Sequence, residues 1–309
     1  MKRKIIAVCG PTASGKSALA IEIARALNSE ILSCDSMQIY RGMDIGTAKE
    51  PPDRRVVAHR LIDIADPKQA FSVSDYQRLA HAEIERLHAQ EKIPVLAGGT
   101  GLYLESILYP LQLGAQPDPQ LRAQLQQDLE RCGAEAMHEH LRALDAQEAD
   151  RVHPNNTKRV LRALEICLGG NARKSDADDK TRDPLYDALV LAPDYPRDEL
   201  YRRINRRVDD MFANGLEDEV RGLIDRGVDF GCQSMQAIGY KEFQPYFAGT
   251  IDRETLIDTI RKNTRHYAKR QISWLRRYDF VQWLPPDCMT RQALKSVATF
   301  TNSVICDKE

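Results

Sequence analysis

One segment near the N-terminus constrains the fold of this chain more than any other. An apolar run at residues 5–9 leads into Gly10, Pro11, Thr12, Ala13, Ser14, Gly15, Lys16 and Ser17, and another apolar run follows. This spacing is typical of a phosphate-binding loop between a strand and a helix, because its glycines let backbone N–H groups wrap around an anion. Lys16 supplies a cation, and the Ser17 hydroxyl can bind a magnesium ion. The segment therefore predicts a diphosphate or triphosphate site without indicating the rest of the ligand.

The composition limits the remaining possibilities. The net charge of the 309 residues is −1, so any nucleic-acid site must be a local basic patch. The seven cysteines are scattered and never form a Cys-x-x-Cys pair, which favours reduced thiols over disulfides or a zinc site. The sequence has no signal-peptide pattern and no apolar run of about 18 residues. We therefore expect a cytoplasmic protein without a membrane segment, and a monomer because no feature indicates a protein partner.

Strand-like and helix-like patterns alternate over residues 1–110. Two apolar runs have the character of buried strands and two longer segments that of helices, namely residues 30–34 and 93–97, and residues 16–27 and 72–90. This alternation predicts an α/β fold of the phosphate-loop NTPase type, with a parallel sheet flanked by helices. Ligands of such sheets bind at the carboxyl ends of the strands. Three loops should therefore converge, at residues 10–17, 35–41 and 98–103.

A helical pattern then replaces the alternation. Asp118 and Pro119 have the signature of a helix start, and Gly133 ends that helix. Further helices are expected over residues 134–144 and 157–168, and the strand pattern returns only at residues 186–191. We therefore expect a core of residues 1–114 and 184–309 interrupted by an all-helical insertion at residues 115–183. The charged end of the insertion, residues 171–183, is expected to be a mobile loop.

Polar side chains follow the second and third predicted strands. Asp35 has three open interpretations: it caps a turn, it holds magnesium through water, or it accepts a proton from a nucleophile. Gln38 nearby offers an amide that can pair with a base edge. Thr100, in a second glycine-rich loop at residues 98–103, can bind a phosphate oxygen or the incoming nucleophile.

Basic residues are concentrated in three helical segments. Four arginines with no lysine, at positions 202, 203, 206 and 207, suit bidentate phosphate recognition, although the sequence does not rank Arg203 against Arg207. Arg159 and Arg162 lie three residues apart in the insertion. Residues 259–277 contain seven basic side chains and no acidic one, with Tyr267 and Trp274 interleaved, a pattern typical of a nucleic-acid surface.

Six segments together resemble the tRNA dimethylallyltransferases, also called tRNA isopentenyltransferases. They occur in order along nearly the whole chain, at residues 10–17, 35–40, 97–103, 159–165, 237–242 and 264–271. No zinc-finger spacing is found near the C-terminus, so the chain is similar to the bacterial form. The charged stretch at residues 171–183 departs from the family pattern, which has a short apolar segment there.

The resemblance implies transfer of a dimethylallyl group from its diphosphate to the exocyclic amine of the adenosine 3′-adjacent to the tRNA anticodon. It implies Asp35 as general base and Thr100 as the residue that orients the amine or the diphosphate. Gly10 to Ser17 and Arg207 would hold the diphosphate, with Mg²⁺ at Ser17. Contacts to the tRNA anticodon stem-loop are implied for Asp35, Ser36, Met37, Gln38, Thr100, Arg122, Arg159, Val160, Leu161, Arg162 and Ala163, and the insertion would act as a clamp.

Three other functions share some of these features. An isopentenyltransferase that acts on free AMP or ATP would use the same chemistry without a tRNA clamp. A small-molecule kinase would share the fold and the phosphate loop, but it would leave the basic residues at 259–277, Arg159 and Arg162 without a task. A non-catalytic RNA-binding protein would explain the basic residues but not the convergence of Lys16, Asp35 and Thr100.

Overall fold

The computed structural model describes residues 2–111, 118–170 and 183–302. The chain divides into two compact units, one of Met1–Leu108 with Leu185–Glu309 and one of Tyr109–Pro184. We expected the divisions after residues 114 and 183, and the units instead divide after residues 108 and 184. The mobile loop expected at residues 171–183 lies outside the described residues except for Asp183. None of the helices in the described ranges is long and apolar enough to cross a membrane.

One parallel sheet of six strands organises the first unit. Its strands are β1 (Lys4–Cys9), β2 (Ile31–Ser33), β3 (His59–Arg60), β4 (Val95–Gly98), β5 (Asp187–Pro193) and β6 (Val281–Leu284), in the spatial order β3-β2-β4-β1-β5-β6. The predicted parallel sheet is confirmed. Sequence patterns did not indicate β3 and β6, because both are short edge strands without a continuous apolar run.

Helices surround and extend this sheet. In the first unit they are α1 (Lys16–Ala26), α2 (Val73–Ala89), α3 (Gly101–Leu108), α7 (Arg197–Ala213), α8 (Leu216–Asp225), α9 (Phe243–Phe247), α10 (Arg253–Leu275) and α11 (Met289–Thr301); in the second they are α4 (Pro119–Leu144), α5 (Ala146–Arg151) and α6 (Thr157–Gly170). Ser72 starts α2 through a capping box, in which its hydroxyl accepts the N–H of Asp75 at 3.1 Å. The predicted start of this helix at residue 72 is therefore confirmed.

The central strand β1 is buried on both faces. Ile5, Ile6, Ala7 and Val8 have no exposed surface, and successive strand residues point to opposite faces of a sheet. Ile6 and Val8 belong to one apolar cluster with residues of α1 and α11. At the carboxyl end of the strand, Cys9 is paired with Gly98 of β4. The loops that follow β1 and β4 therefore leave the sheet side by side.

The second unit has its own apolar core. Asp118 caps α4 by accepting the N–H of Gln120 at 2.8 Å, and Pro119 occupies the first turn. Gly133 interrupts α4 with φ 82° and ψ 170°, so the expected pair of helices is present with its break at the expected residue. Helix α5 was not expected, and α6 continues two residues beyond the predicted end at Leu168.

A second apolar cluster in the first unit joins the C-terminal helices to the loop after β2. Its buried members include Ile39 and Met43 from that loop and Val208, Met211, Leu223, Phe243 and Ile260 from α7 to α10. The cluster fixes residues 39–43 against the helices. The loop that follows Asp35 is thus part of a packed core.

We expect Gly98 to tolerate no side chain. A Cβ atom at this position would lie 2.0 Å from the backbone oxygen of Cys34, and backbone cannot move aside as a flexible side chain can. Gly98→Ala should lower the free energy of unfolding by at least about 2 kcal/mol in denaturant titrations.

The matched control is Gly222→Ala in α8. A Cβ atom there would meet only Nη1 of Arg226, at 3.5 Å. This substitution should be neutral or should raise the free energy of unfolding by about 0.5–1 kcal/mol, because alanine is the better helix former. A Gly98→Ala protein as stable as the Gly222→Ala protein would contradict the close approach of β2 and β4.

Candidate active site

The loop between β1 and α1 has the geometry that an anion site requires. Gly15 takes a left-handed conformation with φ 79°, which favours glycine, and α1 begins at the next residue. The N-terminus of α1, with its unpaired N–H groups and positive dipole end, therefore faces the loop. Nζ of Lys16 donates to the backbone oxygen of Pro11 at 3.2 Å, which folds the cation back over the loop.

Charged and polar side chains from three elements converge on one cavity of about 330 Å³. Lys16 and Ser17 come from α1, Asp35 follows β2, and Arg207 comes from α7. The sheet explains this convergence, because parallel strands end at the same edge. We call this space the first cavity.

The first cavity holds more positive than negative charge. The pKa of Lys16 is lowered to about 8, chiefly by burial and also by the neighbouring charge of Arg207, while Asp35 opposes the shift. Burial also lowers the pKa of Arg207, again opposed by Asp35, but a guanidinium stays protonated at neutral pH. Lys241 and Arg270 line the same cavity, so four cationic side chains share it with the single carboxylate of Asp35, an arrangement that favours a multivalent anion.

Asp35 caps a turn and also lines the first cavity. Its Oδ1 accepts the backbone N–H of Met37 at 2.9 Å, so the turn-capping interpretation describes a contact that is present. A carboxylate offers about four acceptor positions, and this bond uses only one of them. The turn therefore orients the carboxylate and leaves the metal and proton-acceptor interpretations open.

Thr100 lies in an adjoining second cavity of about 260 Å³ rather than in the first. Its Oγ1 accepts the backbone N–H of Ser36 at 3.0 Å and donates to the hydroxyl of Ser36 at 3.3 Å. The two cavities share four lining residues, namely Gly98, Tyr267, Arg270 and Gln271. Ser36, next to Asp35 in the chain, therefore connects the two predicted catalytic residues.

Gln38 lines the first cavity with its amide already engaged. Oε1 accepts from the hydroxyl of Ser33 at 3.0 Å, and Nε2 donates to the backbone oxygen of Thr47 at 3.3 Å. Pairing with a base edge would require the amide to exchange one of these bonds. Ser36 and Met37 line the same cavity.

The structure distinguishes Arg207 from Arg203. Arg207 lines the first cavity, whereas Nε of Arg203 donates to the backbone oxygen of Ala13 at 2.8 Å and its guanidinium lies 4.6 Å from the centre of the Tyr195 ring. Arg203 therefore braces the phosphate loop from outside, and Arg207 is the arginine that can reach a ligand. Arg206 is exposed.

The basic segment at residues 259–277 is only partly available to a nucleic acid. Arg261 pairs with Asp209 and Asp258, and Arg265 donates to Asn205 at 2.7 Å. These two arginines therefore join α10 to the rest of the unit. The later residues His266, Lys269, Arg270, Ser273, Trp274 and Arg277 line an open surface cavity of about 570 Å³.

In the insertion unit, the residues expected to touch tRNA divide into two groups. Val160 and Ala163 are almost fully buried and Leu161 is 9% exposed, because they occupy the apolar face of α6. Their side chains form part of the apolar core of this unit. Arg159 is exposed, and the Arg122 side chain is 64% exposed.

A buried glutamate that sequence reasoning missed orients two of these arginines. The carboxylate of Glu165 on α6 is 2% exposed and lies 3.4 Å from Nε of Arg122 and 3.1 Å from Nη1 of Arg162. The helical spacing of Arg162 and Glu165, three residues apart, was the available signal for one pair. The contact with Arg122 joins α4 to α6, and no local sequence pattern indicates it because the two residues are far apart in the chain.

A second missed glutamate supports the wall of the first cavity. Glu219 on α8 accepts the backbone N–H groups of Asp44, Ile45 and Gly46 at 2.7, 2.8 and 3.2 Å. It also accepts from the hydroxyl of Tyr240 at 2.6 Å. Gly46 begins the part of this loop that lines the first cavity. No sequence pattern marks this carboxylate, because its partners are backbone groups of a distant loop.

The oxygen donors of the first cavity fit a magnesium ion that is coordinated mainly by the phosphate groups of a bound ligand. Ser17 offers a hydroxyl and Asp35 a carboxylate, both hard oxygen donors of the kind Mg²⁺ prefers. Over residues 2–111, 118–170 and 183–302 no cluster of three or more histidine, cysteine, aspartate or glutamate residues could hold a metal. Phosphate oxygens and water would therefore complete the coordination.

Comparisons with known proteins identify several similar chains. A family model described as IPP transferase matches residues 38–278. A tRNA dimethylallyltransferase of Geobacillus thermodenitrificans is 46% identical over 287 residues, which are 92% of this chain and 90% of that one. The crystal structure of a tRNA isopentenylpyrophosphate transferase from Bacillus halodurans matches with a TM-score of 0.73, 40% identity and 97% coverage of both chains. A eukaryotic dimethylallyltransferase captured acting on tRNA matches with a TM-score of 0.83 and 26% identity, over 99% of this chain and 81% of that one.

The placement of Arg207 predicts a specific loss of anion affinity. Arg207→Gln should weaken the binding of inorganic diphosphate by about 10- to 100-fold in calorimetric titrations, because a charged hydrogen-bond donor is lost from a buried site. Arg206→Gln, one residue earlier on the exposed side of α7, should change the affinity by less than about twofold. Equal losses in the two variants would mean that the helix acts through its overall charge.

Proposed function

This chain belongs to the IPP transferase family, whose members include the tRNA dimethylallyltransferases, and on that premise we propose its reaction. It transfers a dimethylallyl group from dimethylallyl diphosphate to the exocyclic amine of the adenosine 3′-adjacent to the tRNA anticodon. Diphosphate is the second product. The proposed site is the first cavity, with Thr100 contributing from the second.

The mixed lining of the first cavity is the observation that carries this proposal. Besides the phosphate loop, the cavity is lined by Val208, Met211, Ala237, Ile238 and Ile260. Four of these side chains, all but Ile238, also belong to the second apolar cluster. A short hydrocarbon chain attached to a diphosphate matches such a lining, because one part needs cations and N–H groups and the other needs apolar contacts.

The phosphate loop and its cations bind the leaving group. Negative charge develops on the bridging oxygen as the carbon–oxygen bond breaks, and the loop N–H groups, Lys16 and Arg207 stabilise it. Magnesium bound with the diphosphate at Ser17 would supply further positive charge to those oxygens. The diphosphate therefore remains with the protein while the hydrocarbon moves to the acceptor.

Asp35 accepts the proton that the acceptor must lose. The exocyclic nitrogen of adenine forms a bond to the first carbon of the dimethylallyl group, and the bond from that carbon to the diphosphate oxygen breaks. The nitrogen gains positive charge in this step and passes one proton to the Asp35 carboxylate. Thr100, which is tied to Ser36, orients the amine beside it.

Binding of tRNA uses exposed arginines and an unstacked adenosine. Arg122, Arg159 and Arg162 of the insertion unit contact backbone phosphates of the anticodon stem-loop. The adenosine leaves its stack to reach the carboxylate, which costs less in a loop than in a duplex. The relatives named for tRNA favour this acceptor over free AMP or ATP.

A transfer assay tests the function directly. The protein is incubated with dimethylallyl diphosphate, magnesium and either unmodified tRNA or free AMP and ATP, and the digested nucleosides are weighed by mass spectrometry. We expect a prenyl mass increase on one adenosine of the tRNA and none on the free nucleotides. Prenylated AMP with unchanged tRNA would instead assign the chain to the nucleotide-modifying enzymes.

Asp35→Asn separates a proton-acceptor role from a metal role. The asparagine oxygen can still accept the N–H of Met37, so the turn is kept while the base is removed. We expect turnover to fall by about 10²- to 10⁴-fold. The affinity for magnesium diphosphate should stay equal or rise, because one negative charge has left the cavity. A parallel loss of diphosphate affinity would indicate that the carboxylate organises the metal.

A further inference from the structure

Gln271, near the end of α10, joins the two glycine loops with one side chain. Its Oε1 accepts the backbone N–H of Thr12 at 3.1 Å, and its Nε2 donates to the backbone oxygen of Gly99 at 2.9 Å. The residue is 8% exposed and lines both cavities. The bridge thus lies between the phosphate loop and the loop that carries Thr100.

The surroundings leave this side chain little freedom. A Cβ atom on Gly99 would lie 2.1 Å from Nε2 of Gln271 and 3.1 Å from the backbone oxygen of Gly10. The two loops and the amide are therefore in close mutual contact. An amide is suited to this position because it presents one acceptor to an N–H group and one donor to a carbonyl.

We propose that Gln271 is a positioning residue that holds the phosphate loop in its anion-binding shape and fixes Thr100 relative to it. The proposal concerns the site of the proposed function and rests on that function only for its effect on turnover. Its effect on diphosphate binding needs no transferase reaction. Neither bond touches the predicted metal ligand Ser17, so the role does not depend on magnesium.

Gln271→Glu tests the hydrogen bond that Nε2 of Gln271 donates to the backbone oxygen of Gly99. An ionised glutamate would place a carboxylate oxygen against the carbonyl of Gly99, whereas the protonated acid restores a donor at that point. At pH 8 the variant should bind inorganic diphosphate about tenfold more weakly than the parent, and the difference should shrink to about twofold near pH 5.5.

The quantity to compare across pH is the diphosphate affinity of Gln271→Glu divided by that of the parent protein. The titratable or charged side chains that line the two cavities are Cys9, Lys16, Asp35, Arg207, Lys241, Tyr267 and Arg270. All are present in both proteins, and the protonation of diphosphate itself is common to both titrations. Recovery of the ratio at low pH therefore reports on position 271.

Two further variants separate positioning from loss of fold. Nε2 of Gln77 donates to the backbone oxygen of Ser106 at 2.8 Å, away from both cavities, so Gln77→Glu removes the same kind of hydrogen bond elsewhere in the protein. Its diphosphate affinity relative to the parent should stay near one at each pH. Gln271→Met keeps the side-chain volume without a titratable group, so its affinity should be lower at both pH values with no recovery. Thermal unfolding of each variant in the same buffers shows which samples are folded.

The transfer reaction supplies a second readout. The kcat of Gln271→Glu should recover over the same acidic range as its diphosphate affinity, relative to the parent. A pH-independent affinity ratio, or an equal pH response in Gln77→Glu, would overturn the proposal. Recovery of affinity without recovery of kcat would refute the part that concerns Thr100. If the parent transfers no prenyl group, the proposed function fails while the diphosphate measurements still decide the role of Gln271.

Discussion

The shared edge at which β1, β2 and β4 end is the constraint on which the site depends. Parallel pairing fixes Cys9 opposite Gly98, and it brings the residues after each strand together although they are up to about ninety positions apart in the chain. The cation of Lys16, the carboxylate of Asp35 and the hydroxyl of Thr100 reach neighbouring cavities for this reason. Two helices that come later in the chain add further side chains to the first cavity, namely Arg207 from α7 and Gln271 from α10.

Besides the phosphate loop, the first cavity has an apolar lining. The apolar cluster that packs α7, α8 and α10 against residues 39–43 also presents Val208, Met211 and Ile260 to the first cavity. A loop that binds phosphates says nothing about the rest of a ligand, whereas an apolar lining shared with the core suits the hydrocarbon part of the proposed ligand. The proposed ligand specificity thus depends on the same contacts that stabilise the fold.

Much of the fold and part of the site could be predicted from the sequence, because both are encoded locally. Glycines and apolar runs mark strand ends, so Asp35 and Thr100 could be found by their positions after strands. Gln271 could not, since a polar residue within a helix gives no indication of its partners until the helix is docked. The segment 159–163 was recognised as a block, and only the helical face separates Val160, in the core, from the exposed Arg159 that precedes it.

The single buried carboxylate of Glu165, shared by Arg122 and Arg162, affects the salt dependence of the RNA binding proposed for the insertion unit. Two guanidinium groups and one carboxylate carry a net charge of +1, so together they neutralise less RNA phosphate charge than two isolated cations would. Correspondingly fewer of the cations condensed on the RNA are released on binding. The slope of log affinity against log salt concentration for RNA binding by the insertion unit should therefore be smaller than its number of arginines would give. The shared carboxylate meanwhile keeps the directions of the two guanidinium groups fixed.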